Sequence, residues 1–469
     1  MQSEAEAKPR SFLAWADVKR ILILAVPAQL ALLTQTAINI VDTWFIGLLE
    51  EPERSDGQAM LSFSLALLWA VGGFLSAISV GTQALVARCE GRGEPTAGGA
   101  VLLNALVVAG VSAGIMTVLT LPFVPMVFDA ASNDPDYVRI GTGYTQWRFI
   151  GIVSMVMTAA FKAFYDGRGM TYMHLLAAIV MNVLNVVLCW LLIFGNLGAP
   201  RMGVEGAGVA AAASSWLGLV MMAVFSFRRR DRELYTPYRR EALSRATMWQ
   251  LIKLSVPSGI ATMVVMTGFI LFIAIVGIFD AAHTEEGGSE SIYGAATTII
   301  INVLSLTFFS CMAFGVATAT LVSQSLGANK PGDAERYAWS SAKIGAMLFG
   351  VLGSLEIAFP GWWIGVFNNS PAVIAAGSTS MQLMGACGPL IAIGMILTQA
   401  LFGAGNPRFV MIVEVLLHFF VLLPGAYLLG VTLRFGLIGV WSSAAIYVVL
   451  LTVIMAFKFR EGSWKHIKL

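Results

Sequence analysis

Three acidic residues lie inside long apolar stretches of the sequence: Asp42, Glu356 and Glu414. A charge within a hydrocarbon layer is costly unless it is paired or neutralised, so an acid in such a place is a functional candidate. On a helix, Asp42 shares one face with Asn39 and Gln35, three and seven residues before it. We expect this polar stripe to bind a coupling ion. The alternative is a buried, hydrogen-bonded lock between helices.

Other polar residues extend this site or form a second one. Asn182 and Asn185, three residues apart in a later apolar stretch, are further candidate ion ligands. Glu414 and His418 lie four residues apart, so on a helix they would form a secondary proton-binding pair. A solvated pair at the membrane edge is the alternative for these two. Glu356 lies close to an outer helix end, where snorkelling to water explains it better than coupling.

Two residues bear on how Asp42 could act. Pro27 lies about four turns before Asp42 on the same predicted helix, and proline frees a backbone carbonyl and permits a bend. We expect protonation of Asp42 to shift this bend. Arg148, in the fourth predicted helix, is either a counter-ion for Asp42 or part of a helix that extends beyond the bilayer.

The composition places these residues in a membrane. Of 469 residues, 57% are hydrophobic and 12% charged, against about 45–50% and about 25% in soluble domains. The net charge of +2 gives no reason to expect a nucleic-acid partner. The four cysteines are far apart, and the sequence contains no H-E-x-x-H, G-x-S-x-G or phosphate-binding loop. We therefore expect no enzyme, no ATPase subunit, no bound metal and no cofactor other than a coupling ion.

Apolar runs of about 20 residues are long enough to cross a bilayer as helices, and twelve occur. Lysine and arginine favour the cytoplasmic side. With a cytoplasmic N-terminus, 24 of the 29 fall inside and five fall outside, at Arg54, Arg139, Arg148, Arg201 and Arg434. This bias predicts a multi-pass membrane protein with both termini cytoplasmic. The sequence shows no eukaryotic targeting signal, and we expect the membrane to be a bacterial inner membrane. The predicted spans are 20–47, 59–86, 98–124, 137–164, 171–194, 206–227, 249–279, 292–323, 335–359, 373–402, 409–430 and 437–458.

The two halves of the chain match each other. A shift of 230 residues places Pro27 on Pro257, and a shift of 236 places Gly91 on Gly327. Six spans per half make the repeats parallel, and two such bundles with a cleft between them are typical of alternating-access transporters. The shift of 230 carries Asp42 onto Phe272, which predicts coupling in the N-terminal bundle alone. The predicted parts are a cytoplasmic segment 1–19, bundles 20–227 and 249–458, a basic linker 228–248 and a tail 459–469.

The chain resembles the multidrug and toxic compound extrusion (MATE) family over essentially its whole length. The motifs that support this are AVPAQLALLTQTAINIVDTWFIG (25–47), with its proline and V-D-T-x-x-x-G ending, and the glycine-bearing segments 81–91 and 315–327. The resemblance is also supported by FYDGRGMTYMHLLAAIVMNVLNVVL (164–188) and by the repeat-related segment LFGAGNPRFVMIV (401–413). The resemblance implies an all-α fold of twelve transmembrane helices and efflux of amphipathic, often cationic organic compounds in exchange for H⁺ or Na⁺.

The family pattern also bears on the coupling ion. Family members often have an Asp where this chain has Cys189, and some have a Thr where it has Ala211. Two oxygen ligands expected for Na⁺ are therefore absent, which favours H⁺. One branch carries acids on the seventh and tenth helices, where this chain has the apolar Val264 and Ile391. The chain therefore resembles the DinF-like branch more than the NorM-like one.

The sequence does not locate the substrate pocket residue by residue. From depth alone we expect Trp44, Met155, Phe161, Met181 and Met263 to contact substrate. Small organic molecules and membrane lipids are the expected partners, and a monomer is expected because one chain holds a complete pathway. Sodium-coupled export, or a flippase for a lipid or lipid-linked sugar, is the alternative function, and a membrane-embedded enzyme or a channel fits the pattern less well.

Overall fold

The computed structural model describes residues 14–50, 53–285 and 291–469, without the side chains of 35–39, 53–56, 59, 62 and 282–285. All regular secondary structure in these ranges is helical, as predicted. The N-terminal half contains α1 (Trp15–Ile46), α2 (Glu53–Leu68, Trp69–Gly73, Phe74–Ser76 and Ile78–Arg92), α3 (Pro95–Thr120), α4 (Pro135–Gly167), α5 (Tyr172–Phe194) and α6 (Gly203–Ser226). Short helical turns, Leu121–Phe123 and Val124–Ala131, extend α3.

The C-terminal half repeats this order. It contains α7 (Arg245–Glu285), α8 (Ile292–Gly327), α9 (Pro331–Ala358), α10 (Pro371–Gly403), α11 (Pro407–Leu417, His418–Leu422, Leu423–Ala426 and Tyr427–Thr432) and α12 (Gly436–Glu461). Eleven helical segments of the described chain, α2 to α12, are long and apolar enough to cross a membrane. The 32-residue α1 is the twelfth predicted span, and at 1.5 Å per residue it is about 48 Å long.

Proline and glycine set the helix boundaries on the side predicted to be cytoplasmic. Pro95 and Pro331, which the repeat aligns, each occupy the first turn of a helix, where the missing N–H costs nothing. Gly93 closes α2 with a φ of 74°, a left-handed conformation that favours glycine. These signals allowed the spans to be predicted to within a few residues.

The first helix of each half contributes buried hydrophobic residues to the core of the other half. Most of the N-terminal half shares one apolar cluster, and this cluster also takes in Leu251 and Leu254 from the first turns of α7. In return, Ile21 and Leu24 from the first turns of α1 pack in a cluster with Phe314 and others of the C-terminal half. The first helix of each half therefore packs partly against the opposite half.

The two halves are in close contact at the end predicted to be cytoplasmic. A Cβ on Gly91 of α2 would lie 2.1 Å from the Gln324 carbonyl oxygen of α8, and one on Gly327 of α8 would lie 2.3 Å from the Arg88 carbonyl oxygen of α2. Gln83 Nε2 donates to the Thr320 hydroxyl at 2.9 Å. Each of the two aligned glycines thus lies against the backbone of the opposite helix, and the structure is closed at this end.

Two peripheral segments reinforce this closed end. The Arg92 guanidinium donates to the Leu469 carbonyl oxygen at 2.7 Å, and Arg88 donates to that of Ile467 at 3.2 Å. In the linker, the short helix Arg229–Tyr235 is fixed to α4 by an ion pair between Arg168 and Asp231 at 2.6 Å. Asn104 of α3 accepts from the Ser244 backbone N–H at 2.9 Å, so the later part of the linker is held as well.

Candidate functional site

Asp42 lies near the end of α1 and is 2% exposed. The Cys189 thiol of α5 lies 3.3 Å from the carboxylate Oδ1, with the thiol as donor. The same sulfur is 3.9 Å from Oδ1 of Asn185, one turn earlier on α5. Asn185 is fully buried, and its Nδ2 has no hydrogen-bond partner. The structure therefore brings Asp42 and Asn185 together through a cysteine that the sequence comparison had counted only as a missing oxygen ligand.

A second side of this site comes from α4. Tyr144 is buried, and its ring lies 5.9 Å from the Arg148 guanidinium carbon. Both side chains are close enough to Asp42 for electrostatic interaction. The counter-ion interpretation of Arg148 is thus consistent with its position. Tyr144 was not identified from the sequence, because nothing in its local pattern marks it as facing another helix.

The structure describes the contacts of one further predicted ligand, Asn182, and the helix position of Pro27. Asn182 Nδ2 donates to the Thr34 carbonyl oxygen of α1 at 2.7 Å, so it ties α5 to α1 about two turns before Asp42. The side chains of Gln35 and Asn39 lie outside the described residues. Pro27 lies inside α1, which is continuous from Trp15 to Ile46.

The arrangement places a carboxylate that can bind a proton beside a thiol and a guanidinium. A thiol is a weak donor, and Arg148 is the charge close enough to offset a buried carboxylate. The oxygen-rich cage that a hard cation needs is not what surrounds Asp42 in the described side chains. Binding one proton would neutralise the acid without any other ligand.

Glu414 and His418 form a second buried group, with side chains 8% and 2% exposed. The interpretation of a solvated pair at the membrane edge is therefore wrong. Glu356 is also buried, at 2% exposure, and its Oε1 has no hydrogen-bond partner. The snorkelling interpretation of Glu356 is wrong as well, because its carboxylate packs beside Gly385 of α10 and does not extend to water.

A comparison with known families identifies the chain. The MatE family model matches it twice, over residues 27–191 and 257–428, which together are well over half of the sequence. The chain belongs to the MatE family. The two matched ranges begin 230 residues apart, the same shift that aligns Pro27 with Pro257.

Relatives of this MatE protein include two named multidrug resistance proteins. It is 26% identical over 460 residues to the probable multidrug resistance protein NorM of Thermotoga maritima, covering 95% of this chain and 93% of the relative. It is 24% identical over 480 residues to the multidrug resistance protein PmpM of Pseudomonas aeruginosa, covering 100% and 96%. The structure of a MOP superfamily transporter from Pyrococcus furiosus matches with a TM-score of 0.85 and 18% identity, covering 96% and 97%. The predicted fold is confirmed.

The five residues expected to contact substrate in this MatE protein lie in different surroundings. Phe161 is buried in the N-terminal apolar cluster. Met155 faces Gly72 of α2, and Met181 faces Gly218 of α6. Trp44 and Met263 are 60% and 42% exposed. Their role in substrate binding stays a prediction.

Proposed function

We propose that this MatE transporter exports amphipathic, cationic organic compounds in exchange for H⁺ by alternating access, with Asp42 as the proton carrier. Family membership supports membrane transport, and the two relatives are named for multidrug resistance. The observation that carries the proposal is the buried Asp42 carboxylate with a thiol donor and a nearby arginine.

The surroundings of Asp42 favour H⁺ over Na⁺. A sodium ion next to Asp42 would also lie near the Arg148 guanidinium, and the two cations would repel each other in a medium of low dielectric constant. The neighbouring Cys189 offers sulfur, which is a poor ligand for a hard cation. A proton needs only the carboxylate itself. Asn182, which donates to the Thr34 carbonyl oxygen, then serves to position α5 against α1, and Asn185 contacts the Cys189 sulfur beside the acid.

The proposed coupling step uses α1. When Asp42 binds a proton, its acceptor interaction with Cys189 and its attraction to Arg148 both change, so the packing of α1 on α4 and α5 changes. Pro27 cannot donate a hydrogen bond to the preceding turn, which makes this point of α1 the easiest to bend. A shift of the bend at Pro27 would narrow the substrate pocket in the N-terminal half and release the substrate.

We also propose an orientation in the membrane and a branch of the family, both from the sequence. The excess of lysine and arginine supports cytoplasmic ends and an inner-membrane location in a bacterium. Val264 is buried and Ile391 packs against an apolar cluster of the C-terminal half. The absence of acids at these two positions supports placement in the DinF-like branch.

The test is ethidium movement in proteoliposomes under an imposed pH gradient or an imposed Na⁺ gradient. Wild-type protein is expected to exchange ethidium for H⁺, and Asp42→Asn to reduce the exchange to the rate of protein-free liposomes. Asp129→Asn, which changes an exposed acid at the predicted outer end of the α3 extension, is the control and should transport normally. Transport driven by Na⁺ alone, or full activity in Asp42→Asn, would contradict the proposal.

A further inference from the structure

Glu414, His418 and Tyr447 form a compact titratable cluster in the C-terminal half. The Tyr447 hydroxyl of α12 donates to Glu414 Oε2 at 2.9 Å, and His418 Nδ1 lies 3.3 Å from the same oxygen. The imidazole and phenol rings are 4.7 Å apart, edge to face. Nothing in the Asp42 mechanism uses these three side chains.

The geometry fixes the protonation pattern of His418. Its Nδ1 is 2.9 Å from the Glu414 backbone carbonyl oxygen as well as 3.3 Å from the carboxylate. Both neighbours are acceptors, so Nδ1 carries a hydrogen whether the ring is neutral or charged. A further proton therefore binds at Nε2. With Glu414 ionised, that proton changes the net charge of the cluster from −1 to zero.

The surrounding helices provide no fixed cation for this buried carboxylate. On α7 the imidazole packs against Gly268, where a Cβ would lie 2.4 Å from His418 Cδ2. The α10 sequence, 371–403, contains no Asp, Glu, Lys, Arg or His. The nearest other ionisable residues along α7, α11 and α12, at least about 9 Å away along the helix axes, are Lys253, Asp280, Arg408, Tyr427 and Lys458. A bound proton is therefore the available means of neutralising Glu414.

The cluster lies at the repeat position of Asn182, about two turns from that of Asp42. A shift of 236 residues, which aligns Gly169 with Gly405, carries Asn182 of α5 onto His418 of α11. Asn182 contacts α1, the first helix of its half, and His418 contacts α7, the first helix of the other half. Phe272 replaces Asp42 on α7, but the fifth and sixth helices of the second half place titratable groups near α7, where His418 packs on Gly268.

The helix that carries the cluster is distorted at this point. A π-helical turn begins at His418 and ends at Leu422, two residues before Pro424. Such turns are irregularities that often accompany functional sites. A change in the charge of His418 would act directly on one of the two π-helical turns of α11.

We propose that Glu414, His418 and Tyr447 form a second proton-binding site, so that the transporter exchanges two protons for each substrate, one per half. The proposal rests on the proposed H⁺-coupled function and adds its stoichiometry. The imidazole takes the proton at Nε2, and Glu414 stabilises the imidazolium. Tyr447 is a positioning residue that holds the carboxylate beside the ring.

The experiment measures coupling stoichiometry in proteoliposomes held at zero membrane potential with K⁺ and valinomycin. A pH difference of one unit is imposed, and the ethidium gradient that gives no net flux is determined. Two protons per ethidium hold a gradient of about 100-fold, and one proton holds about 10-fold. Wild-type protein is expected to give the larger value, and His418→Gln and Glu414→Gln the smaller one.

Controls separate this inference from the proposed function. His466→Gln, which changes an exposed histidine, should keep the wild-type ratio. A ratio of about 10-fold in wild type, or an unchanged ratio in both variants, would overturn the second site while leaving the role of Asp42 intact. Exchange driven only by Na⁺ would overturn the proposed function itself. Two variants are used so that a folding defect in one leaves the test in place, and size-exclusion chromatography identifies such a defect.

Discussion

At the scale of single residues, Arg148 is a fixed positive charge close to the acid proposed to carry protons. It is half-buried, and its guanidinium is partly covered by the Tyr144 ring. Such a charge does not prevent proton binding, since the carboxylate can still be neutralised. It does oppose a second cation at the same place, because two unit charges in a medium of reduced dielectric constant repel by several kcal/mol. Arg148 is therefore expected to select H⁺ against Na⁺.

Replacing Arg148 with glutamine should make transport sensitive to Na⁺. Removal of about 1–4 kcal/mol of repulsion should raise the affinity for Na⁺ by about tenfold or more. The measurement is pH-driven ethidium exchange at increasing Na⁺ concentration, which should inhibit Arg148→Gln but not wild type. Arg139→Gln, an exposed arginine on the same helix, is the control. Equal insensitivity of wild type and Arg148→Gln would refute this role.

The sequence marked individual acids as candidates but did not predict the side chains around them. Asp42 and the pair Glu414 and His418 were found because charge inside an apolar run is rare. Cys189 and Tyr447 were missed, since a cysteine or tyrosine in a membrane helix has no unusual local pattern. Their roles depend on which helices pack together, and a single sequence does not contain that information directly.

At the scale of helices, the crossing of α2 and α8 depends on two glycines. Gly91 and Gly327 lie where each helix meets the backbone of the other, with no space for a side chain on either. The sequence repeat aligns these two glycines, and in the structure each of them makes the contact between its own half and the opposite half. Closure at this end is thus approximately symmetric.

Substituting alanine for Gly91 should destabilise the closed state. A Cβ placed 2.1 Å from the Gln324 oxygen forces the helices apart, at a cost of about 1–3 kcal/mol. Spin labels at the exposed, repeat-related positions Glu94→Cys and Lys330→Cys should then report a longer distance between the halves by double electron–electron resonance. Gly332→Ala, with nothing within 4 Å of the added Cβ, is the control and should leave the distance distribution unchanged. A wild-type distribution in Gly91→Ala would show that the crossing does not determine closure.

Helix positions were predictable for a simple reason. Span length follows from bilayer thickness, and the ends are marked by proline, glycine and charge. The π-helical turns Trp69–Gly73, His418–Leu422 and Tyr427–Thr432 were not predicted. Such a turn adds a residue without a reliable sequence signal, and it arises where packing and polar contacts compete with regular winding.

At the scale of the whole molecule, the first helix of each half is shared between the halves. The early turns of α1 pack in the C-terminal half, and Phe45 and Ile46 at its other end pack in the N-terminal half. On α7, Leu251 packs in the N-terminal half and Phe272 in the C-terminal half. Pro27 and Pro257 lie between these two packing regions, so any relative motion of the halves must bend or shear both helices near a proline.

Replacing either proline with alanine should slow transport. Restoring the backbone N–H stiffens the helix where it must bend, and we expect about a tenfold lower rate of ethidium exchange for Pro27→Ala and Pro257→Ala. Pro371→Ala, at the first turn of α10, removes a proline that does not interrupt a helix and should have little effect. Initial rates in proteoliposomes measure the difference. Wild-type rates in both Pro27→Ala and Pro257→Ala would contradict a bending role.

The covalent connection between the halves is itself held in place. Arg168 pairs with Asp231 and lies 3.9 Å over the Tyr235 ring. Tyr235 donates to Glu90 of α2, and because burial raises the pKa of Tyr235 to about 12, its hydroxyl keeps that proton at physiological pH. With Ser244 bound to Asn104, the connector runs along the N-terminal half up to the first residue of α7.

A linker that is held along its length gives the two halves a nearly fixed point of connection and does not let them separate freely. We expect the start of α7 to move with the N-terminal half, so that the two halves separate less widely than a loose chain of the same length would allow. Opening on one side of the membrane is thereby tied to a rotation about a nearly fixed point. A rotation of this kind is expected to open the substrate route to one side of the membrane as it closes the other.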